Sequence, residues 1–381
     1  MGKVYSHSHC MVAAAAASDC FGGLFPWDVE LPILTAPSES SDSRKFRLAL
    51  IKPRFESWDE LFLKSCLNRR GSALQERELS PRILYFTKHT MLFECREARA
   101  GNPHAFWHDH SDTRESLTTR RATAINRKIR RCLDEPFQKG IEVRQFELGL
   151  ERRYLAWMDM IEGYSERKLS MPSDKFLGVS GLASEFAYLL DNQYVAGLWR
   201  RDLCRGLCWR WKQNDIAHIA RVKLNVQAMA YRPSWSWAKM TVPVTYDLVY
   251  HSPRQVVRAQ NDNDKIDWGN PAFMNVSTVP EGKDPNGTFI SAVIDLEGLV
   301  FRVSRSRTGN FYILGEAVKV IWDFLPQTAN AYYVLSLGRT RAGLVLIPTE
   351  RKEYEYRRAG IISMIQKEWF KDSDLQRLTL V

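Results

Sequence analysis

The chain lacks the glycine-rich loops by which many nucleotide enzymes are recognised. Neither Gly-x-x-x-x-Gly-Lys nor Gly-x-Gly-x-x-Gly occurs in its 381 residues, so no backbone cradle for a phosphate can be named. No apolar run approaches the roughly 20 residues needed to cross a bilayer. The 7 cysteines are odd in number and irregularly spaced. That argues against a disulfide framework and for reduced thiols in an intracellular, cytoplasmic setting. Acidic charge is also in deficit: 44 Asp and Glu face 54 Lys and Arg, leaving a formal net charge of +10. Such an excess invites an anionic partner. Much of it sits between Arg114 and Arg131, however, where no aromatics interleave to stack on bases. A solvated helical face or basic loop is the reading there, with nucleic-acid binding the lesser alternative.

What is present points to a folded protein of more than one domain. Hydrophobic residues make up 45% of the chain and charged ones 26%, an ordinary globular balance. The 12 tryptophans imply large aromatic cores. Residues 1–25 read as a short helix or strand followed by an alanine-rich stretch. Gln75–Leu79 reads as a helix closed by Pro81. Ile83–Phe86 and Met91–Cys95 read as two buried strands. Residues 97–150 are polar and basic, the best internal linker.

Beyond the linker, Tyr154, Trp157, Met158, Ile161 and Tyr164 form one helical stripe. Further helices are expected from Ser173 to Leu190 and from Asp202 to Trp211. From Ser234 onward the pattern turns to β. Strands are expected at Thr288–Ile294, Leu299–Val303, Tyr332–Leu337, Leu344–Pro348, Tyr356–Met364 and Leu378–Val381, with a turn at Gly298. Trp235 and Trp237, two residues apart, would share one strand face and pack as core.

Few residues suggest chemistry. His104, His108 and His110 could begin a zinc half-site, but Pro103 argues for a loop and no further ligands complete the set. Cys204 and Cys208 are spaced like ligands, yet Leu203 and Leu207 make them core residues. Gly178-Val179-Ser180-Gly181 lacks one residue of a nucleophile elbow. Glu76-Arg77-Glu78 precedes the two strands, and Arg167 and Asp174 bracket a helix connection; both sets read as ionic clamps. No catalytic residue, cofactor or metal is assigned.

Several blocks in order resemble the fungal heterokaryon incompatibility (HET) domain proteins. They are Arg70 to Arg82 with Gln75, Glu76 and Arg77; Phe93-Glu94-Cys95; Tyr164 to Leu169 with Arg167; Asp174 to Ala183 with Gly181; Gly197-Leu198-Trp199; and Pro233-Ser234-Trp235-Ser236-Trp237-Ala238. Ser72 stands where that family has tryptophan. The family's opening strands have no counterpart, which implies a chain lacking the N-terminal half of the domain or a start methionine wrongly chosen.

The residue pattern and the resemblance together give an α+β protein. Residues 1–96 would be the C-terminal portion of an α/β HET domain, 97–150 a linker, 151–250 a helical layer ending in the Trp-Ser-Trp strand, and 251–381 an antiparallel β-rich region. The resemblance implies non-self recognition and programmed cell death through association with other proteins of an incompatibility pathway, or with itself, or else a truncated chain without function. A TIR-like NAD-cleaving activity is the enzymatic alternative for a longer form that includes the missing half.

Overall fold

The apolar alternation of Arg82–Phe86 and Met91–Cys95 produces paired strands, as expected. The computed structural model describes residues 2–19, 21–24, 65–87, 91–95, 98–101, 143–212, 232–250, 270–305, 311–323 and 329–381. It divides into two compact units, one of residues 3–124 and the other built on residues 125–381. The three histidines, the Arg114 to Arg131 run and most of the expected linker lie outside the described residues.

In the first unit, a short helix α1 (Gly2–Ser6) leads to strand β1 (Met11–Ala13). Helix α2 (Ser72–Leu79) precedes β2 (Arg82–Phe86), β3 (Met91–Cys95) and β4 (Arg99–Gly101). The four strands form one sheet in chain order; β1 runs parallel to β2, and β3 and β4 follow antiparallel. Strand periodicity sends Ala13, Ile83, Tyr85 and Leu92 to one buried face. Serine ends α2: the Ser80 hydroxyl and N–H both donate to the Glu76 carbonyl, at 2.6 and 3.3 Å.

The second unit starts with α3 (Val143–Ser165), which begins inside the segment read as linker. The predicted stripe is its buried face, with Trp157, Ile161 and Tyr164 all sealed from water. After a 3-10 turn at Pro172–Lys175 comes α4 (Leu177–Leu190). Its left-handed cap at Asp191 (φ 43°) fits a residue type that tolerates that region. A hairpin of β5 (Tyr194–Val195) and β6 (Leu198–Trp199) follows. The helix expected from Asp202 to Trp211 is only α5 (Leu203–Gly206). Arg210–Trp211 is instead strand β7, paired with β8 (Val244–Thr245). Segments 151–250 and 251–381 thus fall in one unit.

The Trp-Ser-Trp segment is not a strand. Ser236 is extended and caps a 3-10 turn at Trp237–Lys239, its Oγ accepting from the Ala238 N–H at 3.2 Å. Serine favours such local side-chain bonds over a ladder. The core reading of both tryptophans holds, since each is fully buried.

The β-rich part contains β9 (Ala272–Pro280), β10 (Phe289–Arg305), β11 (Phe311–Ile313), β12 (Glu316–Val318), β13 (Ile321–Trp322), β14 (Tyr332–Ser336), β15 (Ala342–Pro348), β16 (Glu355–Ser363) and β17 (Leu375–Leu380). Strands β9 and β11 to β13 were not legible beforehand. Thr288–Ile294 and Leu299–Val303 are not two strands but one, with Gly298 inside it. A Cβ there would lie 2.8 Å from Leu335 Cδ1, so close packing rather than a turn requires the glycine.

Strands β10, β14, β15 and β16 pair antiparallel in succession. Strand β17 then joins β16 in parallel and returns antiparallel to β10. The path closes into a ring. Its strands bury residues on both faces: Leu335, Leu344 and Ile361 on one, Val334, Val345 and Tyr332 on the other. The second face packs against Phe311, Ile313 and Phe370. This is an α+β protein with an antiparallel-rich C-terminal sheet.

Candidate functional site

Two buried polar sets stand out, one in each unit. In the first unit, Tyr85 pairs with Leu92 and Ile83 with Glu94 across β2 and β3. Tyr85 and Glu94 are therefore diagonal neighbours on one face. Arg77 of α2 reaches both. Its Nε donates to Tyr85 Oη at 3.0 Å and its Nη2 to Glu94 Oε2 at 3.3 Å, while Tyr85 Oη donates to the same oxygen at 2.8 Å. Arg77 Nη1 lies 3.5 Å from Glu78 Oε1, and all three charged side chains are buried.

Burial alone would push the Arg77 guanidinium down, but Tyr85, Glu94 and Glu78 together hold it above its ordinary value. It stays charged. The arrangement clamps a helix to a sheet, with Arg77 bridging two glutamates rather than pairing only along its own helix. Gln75 is buried beside it, and half-buried Glu76 is raised by burial despite its bond to Tyr5.

The second set surrounds the aromatic core. The hairpin turn at Ala196-Gly197 is left-handed, with φ 42° and 98°. It exposes the Ala196 and Gly197 carbonyls to donors. Ser236 Oγ donates to Ala196 O at 2.7 Å. Trp157 Nε1 and Trp237 Nε1 both donate to Gly197 O. Trp199 packs edge-on against Trp157 at 5.0 Å, and Tyr164 against Trp237 at 6.0 Å. The Tyr164 hydroxyl donates to Lys175 O at 2.9 Å, and Gly178 is required because a Cβ would meet that hydroxyl at 2.3 Å. The glycine-serine-glycine segment is therefore a packing feature inside α4.

Several buried basic side chains escaped prediction, Lys175, Arg232 and Arg358 among them. Lys175 donates to Met240 O and faces the Trp237 ring. Burial, and then the charge of Arg232, lower its pKa to about 7. Arg232, adjoining Pro233, donates to Ala238 O at 2.6 Å and to Pro172 O. It anchors the Pro172 turn. Arg167 and Asp174 do not pair with each other among the described residues; Asp174 instead bonds Ser173 at 3.3 Å.

Arg358 of β16 forms a bidentate pair with Asp323 at 2.8 and 3.2 Å. It also donates to Leu207 O and Trp209 O, and stacks 3.4 Å from the Trp209 ring centre. Only the strand period hinted at it: in Tyr356-Arg357-Arg358 one arginine must point inward. Lysine and arginine are rarely buried, so composition gave no signal for Lys175 or Arg232.

Of the other candidates, Gly181 lies within α4. Cys208 Sγ donates to Cys204 O at 3.1 Å, and burial pushes the two thiols up to about 12 and about 11, so both are held neutral. Among the described residues no group of three or more His, Cys, Asp or Glu is placed to hold a metal ion. A shallow groove of about 620 Å³ lies between Val300–Arg302 and Asp372–Arg377, lined by charges of both signs.

These features belong to an α+β framework in which Arg77, Arg232 and Arg358 hold elements together. Comparison with protein-family models, curated proteins and solved structures finds no match for the chain. The resemblance to HET-domain proteins rests on the residues quoted for it.

Proposed function

We propose that the chain acts in fungal non-self recognition and programmed cell death, in the cytoplasm, by associating with other proteins of an incompatibility pathway. The observation that supports this reading is where the ordered blocks fall. Gln75 and Arg77 are buried, Arg77 as the centre of the clamp; Tyr164, Trp199 and Trp237 belong to one network of ring contacts, and Trp235 is fully buried. Residues used this way maintain the fold rather than form a reactive site, which is consistent with a role in association. No helix of the described residues is long and apolar enough to cross a membrane.

The test is expression of the chain in a filamentous fungus with growth scored against an empty-vector control. Growth arrest that disappears on Trp237→Ala, at matched protein level, supports the reading. Normal growth with confirmed accumulation counts against it. Turnover of NAD by the purified chain would replace association with NAD cleavage as the mechanism.

A further inference from the structure

The long ribbon of β9 and β10 has one side on which no described strand pairs. Among the described residues β9 pairs only with β10. Its burial is shallow, Val276 being the one strand residue turned fully inward, and Asn275, Ser277 and Val279 are exposed. Unpaired strand edges offer a row of N–H and C=O groups to any extended chain. Folded proteins guard such edges with charge, proline or bulges.

The guards on β9 are confined to its ends. Pro280 closes one end. Near the other, Asn275 pairs with Asp295 and Phe273 with Leu296, leaving Met274 as the extra residue of a bulge. Between them, Asn275-Val276-Ser277-Thr278-Val279 pairs residue by residue with Asp295 to Ser291. This run carries no charge and is rich in β-branched residues.

We infer that Asn275–Val279 is a docking edge for a second copy of this chain, the two β9 strands pairing antiparallel about a twofold axis at Ser277. Such an axis sets Ser277 against Ser277, Val276 against Thr278, and Asn275 against Val279. No like charges are opposed, although the two copies are both basic overall. A twofold contact is self-complementary and closes on itself, so it yields a dimer rather than a filament. One strand pair is a small interface, and the dimer is expected to be concentration-dependent. The inference gives the association reading above a partner and rests on that reading for its biological meaning.

Sedimentation equilibrium of the full chain, over a concentration series into the high micromolar range, provides the test. The wild-type chain should show reversible dimerisation. Combining Asn275→Lys, Ser277→Lys and Val279→Lys opposes lysines across the axis and should weaken the dimer on the order of tenfold or more. The Glu counterpart of these three substitutions should weaken it likewise. Mixing the Lys and Glu chains should restore association as a heterodimer, which a merely misfolded variant cannot do.

A wild-type chain that stays monomeric overturns the inference, as does a dimer indifferent to the lysines or a mixture that fails to associate. Growth arrest by the monomeric Lys variant would overturn dimerisation as the relevant association and leave the wider reading standing. An intact dimer with no growth phenotype does the reverse.

Discussion

Trp157 and Trp237, from a helix and from a loop 80 residues later, donate their indole N–H groups to one carbonyl, Gly197 O, at 3.2 and 3.0 Å. That single oxygen, with its two lone pairs, accepts both bonds and so orients both rings. It can do so because Gly197 turns left-handed at φ 98°, beneath the Trp237 ring.

Gly197→Ala is therefore expected to be severe. An added Cβ would sit 2.5 Å from Trp237 Nε1, on a backbone that side chains rarely adopt. We expect a loss of about 3 kcal/mol or more, read from the midpoint of urea unfolding. Gly315→Ala, at a comparable φ of 84° but with no atom near the added Cβ, should cost less. The difference between the two measures the indole contact.

Lys175 should make stability depend on alkaline pH. Its folded pKa of about 7 lies below the ordinary value of 10.5. The unfolded chain therefore binds the extra proton between these limits, and stability rises as pH rises through that window. The gain between pH 7 and pH 9 should be about 2 kcal/mol. Lys175→Met should be more stable than the wild type at pH 7, with the advantage fading by pH 10. A pH-independent difference in unfolding free energy would show that Lys175 keeps its proton.

Asp323 and Arg358 form a buried ion pair, so removing one partner strands the other. Arg358→Met or Asp323→Ala alone should destabilise by about 3–5 kcal/mol. The double variant should cost less than the sum, because no unpaired charge remains. Calorimetric melting of the four chains completes the cycle. An additive result would mean that Arg358 works through the Leu207 and Trp209 carbonyls rather than through Asp323.

Arg77→Met is expected to cost about 3–5 kcal/mol by the same argument, since Glu78 and Glu94 would lose the cation that bridges them. Arg77→Lys should recover only part of this, because a lysine cannot span Tyr85 and Glu94 with a planar fork. Thermal melting of the full chain decides between them.

Thiol labelling of the folded chain should separate the cysteines. Cys10 is exposed, whereas Cys208 is buried and its thiol is pushed up to about 12. At pH 8 a maleimide should modify Cys10 first and leave Cys208 until the chain unfolds. Peptide mapping that found Cys208 modified early would indicate local opening around α5.

The sequence was legible where one period dominated and opaque where two structures share a pattern. Tyr154, Trp157, Ile161 and Tyr164 repeat at helical spacing over several turns, and α3 followed. In Ser234 to Ala238 the alternation of large and small residues is too short to tell a strand from a turn. There Ser236 decided the outcome through a local bond to Ala238. Gly298 read as a turn because its reason, the approach of Leu335, lies far along the chain. Strand β9 escaped because only Val276 is buried, so its hydrophobic alternation is faint. The Arg77 clamp was visible as a charged triplet, but its main partner, Glu94, could be found only once the strands were paired.

Closure of the five-stranded ring also governs how the protein is made. Strand β17 fills the place between β10 and β16, yet it is synthesised after both. Pairing of β10 with β14, of β14 with β15 and of β15 with β16 leaves two flanks open until residues 375–380 dock between them. During that wait β10 offers its whole 294–299 edge to any neighbouring strand. Until β17 docks, that edge is a row of unpaired N–H and C=O groups, the feature by which strands recruit other chains.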